Sequence, residues 1–138
     1  MSRKSINLER ISFQQAMVNL ESDIVFLQNI DQNLSAIDWV LENVDNNSLS
    51  NSHIEEAVWV ALNNLNDIQN KFIKIKIRAI DYKIKFEEHS KLGQSDQKKL
   101  DEVIGRLNHL LEKKKTLINN RIKKCNGIIR EETVSAKI

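Results

Sequence analysis

Three histidines, one cysteine and three pairs of adjacent carboxylates are the residues whose types could build a catalytic or metal centre, and their spacing argues against one. His53, His89 and His109 stand far apart, without the Glu-x-x-His pairing or second cysteine that would bring ligands onto one helical face. Glu55-Glu56, Glu87-Glu88 and Glu131-Glu132 are neighbours in sequence, and neighbours on a helix point about 100° apart instead of converging on one atom. Gly93, Gly105 and Gly127 are isolated, so no glycine-rich loop cradles a phosphate. No serine or cysteine lies in a recognisable nucleophile motif, and Cys125 falls on an apolar helical seam where a small buried side chain is the default. The sequence therefore predicts a protein that is not an enzyme, with no catalytic residue, no cofactor, no metal and no evident small-molecule substrate.

The elements that carry these residues are read from periodicity. The chain has 138 residues with no proline and 3 glycines, which disfavours β-rich architectures and favours long uninterrupted helices. A first seam, Phe13, Met17, Leu20, Ile24, Leu27, Leu34, Ile37, Leu41 and Val44, predicts a helix over about 7–45. Ser12 with Gln15 resembles a capping box, although the helix could start as early as Asn7. The seam is interrupted at Asp31, and Asp31 or Ser35 could cap a new helix, so a kink or break is expected at 31–35. Asn46 to Ser52 reads as a loop of residues that hydrogen-bond their own backbone.

The second helix, about 53–91, contains the ambiguous stretch FIKIKIRAIDYKIKF from Phe72 to Phe86, where alternating isoleucine and lysine also suits a strand. A helical seam decides the matter. Ile54, Val58, Ala61, Leu65, Ile68, Phe72, Ile75, Ala79, Tyr82 and Phe86 recur at steps of four and three and enter this stretch from well upstream. The third helix, about 96–130, is predicted to start after a turn at Gly93, with Ser95 as its cap. Its seam is Leu100, Ile104, Leu107, Leu111, Ile118, Ile122, Cys125 and Ile129. The eleven residues from Leu107 to Ile118 suggest a local departure from heptads; Gly127 is a candidate terminator, and 131–138 is expected to be a loose tail.

Three helices joined by short connections predict an all-α fold, an elongated antiparallel bundle with coiled-coil-like packing in one domain over 1–138. A helix of nearly 40 residues would be about 60 Å long, whereas a compact domain of this size has a radius of gyration of about 14 Å, hence the expectation of a rod.

Function is sought in the apolar residues left over. Trp39 lies off the first seam. Trp59 and Leu62 lie on the same side of the second helix as Ile73, Ile77, Ile80 and Ile84. Either each helix needs two stripes to touch two neighbours, or these residues form an intermolecular surface anchored by the tryptophans and isoleucines. Charge supplies the competing reading. Residues 1–70 carry 3 basic and 10 acidic residues, a net of −7, and residues 71–138 carry 18 and 9, a net of +9. Lys99, Arg106, Lys113 and Lys124 form a basic arc on the third helix that could follow the phosphates of a nucleic acid, or could be solvated or paired with the acidic first half. No aromatic residue follows Phe86, so that helix lacks a base-stacking platform.

The expectation is a protein–protein interaction module of adaptor, chaperone or inhibitor type that acts through helical packing as a homodimer, its partner being another protein, a second copy of itself, or both; nucleic-acid binding is the alternative. No stretch approaches the ~20 apolar residues of a membrane span and no signal-peptide run follows the N-terminus. With a single cysteine this predicts a soluble, cytoplasmic protein without membrane partners. Abundant Asn, Ile and Lys are compatible with an AT-rich bacterial or phage genome.

Overall fold

The computed structural model describes residues 12–45, 51–88 and 92–137, with side chains over 12–44, 53–87 and 92–130. The fold is an all-α helical bundle, and the described residues contain no strand. Its helices are α1 (Phe13–Gln28), α2 (Ile30–Asp45), α3 (Asn51–Glu88) and α4 (Gln94–Lys137). They pack as two compact units. The first holds the described chain up to Gln28 together with Phe72–Glu112, and the second holds Asn29–Lys71 with the described chain from Lys113 onward.

Ser12 is the N-cap of α1. Its hydroxyl accepts the Gln15 backbone N–H at 3.0 Å and its carbonyl accepts that of Ala16 at 3.0 Å, satisfying donors that a helix start leaves unpaired. The earlier start near Asn7 and most of the expected 46–52 loop lie outside the described residues; Asn51 and Ser52 already belong to α3. The first helix does break, at Asn29, two residues before the expected place. A strict heptad from Leu20, Ile24 and Leu27 would bring Asp31 inward; the break instead buries Ile30 completely and leaves Asp31 exposed in the first turn of α2. Ser35 caps nothing, since its hydroxyl donates back to the Gln32 carbonyl at 2.8 Å.

In the first unit, Asn19 donates to the Tyr82 hydroxyl at 2.7 Å and Arg78 to Asp23 at 3.0 Å, so residue numbers rise along α1 as they fall along α3: the pair is antiparallel. Phe13 and Phe26 meet Phe86 and Phe72 edge-on, with centroids 5.6 and 6.4 Å apart. The core here is Ala16, Leu20, Ile24 and Leu27 against Phe72, Ile75, Ala79, Tyr82 and Phe86, closed by Leu100, Val103, Ile104, Leu107 and Leu111. The stretch that imitates a strand is thus helical throughout.

In the second unit α2 and α4 run parallel, because Asp31–Lys114 and Asp38–Arg121 share one offset of 83 residues. Two expectations for the third helix are corrected. Its first turn is bonded from Gly93, whose carbonyl accepts the Gln97 N–H at 3.0 Å, so Ser95 lies inside the helix instead of capping it. Gly127 does not terminate it either, and the backbone stays helical to Lys137 through residues expected to be loose. One helix-interior glycine costs only about 1 kcal/mol, too little to stop a segment of good helix formers.

A candidate interaction surface

With about 100° per residue and Ile75 facing the core, Ile73, Ile77, Ile80 and Ile84 project on the opposite side of α3, within an arc of about 60°. They are 57, 52, 46 and 42% exposed, whereas Ile75 is 1% exposed. Neither neighbouring helix of the unit covers them: Arg78 and Lys76, which reach Asp23 on α1 and Asn108 on α4, mark the two flanks where those helices lie. Among the described residues of this unit, packing against a second neighbour therefore does not account for the stripe. On α1 of the same unit, Val18 and Val25 are also exposed, one heptad apart.

The second unit holds the two tryptophans. Trp39 on α2 is 59% exposed and Trp59 on α3 is 45% exposed, with Val60 beside it. Leu62 departs from the sequence reading. It is buried at 7% exposure, because it sits about 60° from Trp59 toward the core line of Val58, Ala61 and Leu65, inside the arc the bundle covers.

Part of the charge asymmetry is taken up by ion pairs inside each unit. Four ion pairs each join an acid of α1 or α2 to a base of α3 or α4. Arg78 meets Asp23 and Arg106 meets Glu21 in the first unit; Lys114 meets Asp31 and Arg121 meets Asp38 in the second. Arg121 grips both Asp38 oxygens at 2.7 and 3.0 Å and donates to the Leu117 carbonyl, and the bond to Asp38 holds its guanidinium pKa further up. Of the basic arc, Arg106 is thereby engaged with Glu21 at 3.4 Å, while Lys99, Lys113 and Lys124 are exposed.

The sequence missed Lys114. It is 7% exposed at the heptad position between Leu111 and Ile118, so the seam runs unbroken through 107, 111, 114 and 118 with a lysine in place of an apolar residue. The departure expected between Leu107 and Ile118 is this substitution. The signal was present: Asp31 interrupts the first seam as Lys114 interrupts the third, and the structure joins them at 3.0 Å.

Nothing in the described residues gathers three His, Cys, Asp or Glu side chains around one point. His53 and His109 are exposed, Glu55 and Glu56 are exposed, and His89 lies outside the described residues. No described helix is long and apolar enough to cross a membrane. Cys125 is fully buried on the α4 seam, and burial pushes its thiol pKa up against a smaller opposing effect of Lys124. Since the thiolate is the reactive form, native protein should resist iodoacetamide at neutral pH and react once denaturant exposes the site, a difference of at least about tenfold in rate by mass spectrometry. Rapid native alkylation would show that Cys125 is accessible.

The sequence matches no family model and no curated protein, and no solved structure matches the chain.

Proposed function

We propose that this protein is a non-enzymatic interaction module that acts by holding another polypeptide against an exposed helical face. The observation that carries the reading is the isoleucine stripe of α3: four β-branched apolar side chains, each roughly half exposed, in a line bordered by lysines. A contiguous apolar patch with a polar rim is the usual mark of a protein-binding face, while single scattered hydrophobes need no explanation. Covering four half-exposed isoleucines stabilises a complex by about 1 kcal/mol each, about 4 kcal/mol in all. Association itself costs about that much or more, so the partner's apolar surface and flanking contacts must add to it, and a reversible complex fits better than a permanent one. The engagement of Arg106 with Glu21, and of the acids of α1 and α2 with bases generally, favours this reading over phosphate binding by the basic arc.

The test compares the full chain with Ile77→Lys and Ile80→Lys variants as immobilised baits. A polypeptide retained by the parent and lost by both variants at unchanged helicity supports the proposal. Equal retention by all three, or retention only of nucleic acid in a steeply salt-dependent manner, overturns it.

A further inference from the structure

We infer that the polypeptide seated on the isoleucine stripe is a second copy of this chain, packed in parallel, α3 against α3; the inference rests on the reading of that stripe as a protein-binding face. The stripe has the spacing of a coiled-coil seam. Ile73, Ile77, Ile80 and Ile84 step by four, three and four, so they occupy alternating d and a positions, and they point straight away from the unit's own core. A surface lying on lipid would want a broad apolar face, and this one is a narrow ridge with exposed Lys74, Lys76 and Lys83 close on both sides.

The flanking charges choose the partner and its direction. In this register Lys76 and Lys83 stand at g, and Lys74 and Asp81 at e. In a parallel pair a g residue faces the e residue five places further along the other helix, so Lys76 of each copy meets Asp81 of the other, and the attraction occurs twice by symmetry. In an antiparallel pair g faces g, and Lys76 would meet Lys83, cancelling what Lys74 gains from Asp81. The seam is therefore complementary to itself in the parallel orientation. Lys76 also donates to Asn108 at 3.0 Å, but it remains exposed and within reach of a partner.

Sedimentation velocity of the full chain from about 5 to 500 μM tests this. Concentration-dependent association is expected, lost in Ile77→Lys, whose exposed position leaves the helicity of the monomer intact. Lys76→Glu separates the orientations. It should weaken association by about fivefold or more in a parallel pair, where it faces Asp81, and the double variant Lys76→Glu/Asp81→Lys should restore it. A Lys76→Glu variant that associates more tightly, as an antiparallel pair requires, overturns the inference, and so does a chain monomeric over the whole range. If the monomeric chain still captures a different polypeptide through Ile77 and Ile80, the interaction reading survives and the self-pairing does not.

Discussion

Ile75→Ala is expected to destabilise the protein by about 2–5 kcal/mol, while Ile77→Ala, two residues along the same helix, costs the monomer no more than about 0.5 kcal/mol. The two residues have the same chemistry and neighbouring lysines, and differ in the face of α3 they occupy. Ile75 is 1% exposed among core side chains of three helices, so truncation loses transfer free energy and leaves a cavity; Ile77 is 52% exposed and leaves none. Denaturant titrations at low protein concentration measure both, and the melting temperature should separate them by on the order of 10 °C. If the exposed face serves self-association, Ile77→Ala also removes the concentration dependence of the melting temperature, which Ile75→Ala leaves in place. Equal effects of the two substitutions at low concentration would mean that the outer stripe is covered within the chain.

This contrast also shows what the sequence made legible. The inner face of Phe72 to Phe86 could be read because its register continues from Ile54 without a fault, and a period that survives thirty residues leaves little room for a strand. The outer face could be recognised as surplus, but periodicity does not say how wide an arc each neighbour covers. Leu62 and Ile73 therefore looked equivalent, although one is buried and the other exposed. Helix ends were read less well for a related reason. Ser95 and Gly127 carry genuine capping and stopping tendencies of about 1 kcal/mol, too small to end or begin a helix against the propensity of the residues on either side, and α4 runs through both. Charge was informative only as a total. The excess of acid before residue 70 and of base after it indicated complementarity, but the partners Asp23–Arg78 and Asp38–Arg121 are chosen by helix offsets that no single segment contains.

Lys114 is the position where that hidden choice should have the largest consequence. Its stem fills a seam position between Leu111 and Ile118, and its ammonium meets Asp31, whose own side chain is 64% exposed. Removing the lysine charge does not strand Asp31, which stays in water; reversing it puts a carboxylate into the seam and beside a like charge. Lys114→Glu is accordingly expected to cost about 3–5 kcal/mol, the range for a buried charge left without compensation. Lys114→Met keeps the volume and abolishes the desolvation of the ammonium. Because an exposed partner returns little Coulombic stabilisation through water, the methionine variant should be as stable as the parent or more so by about 1 kcal/mol. Chemical denaturation of the three proteins at neutral pH decides the point. A methionine variant weakened as much as the glutamate variant would show that the ion pair itself holds α2 to α4. A stable methionine variant would leave it the part of fixing which residues of α2 lie opposite which of α4, a role that purely apolar seams of leucine and isoleucine specify poorly.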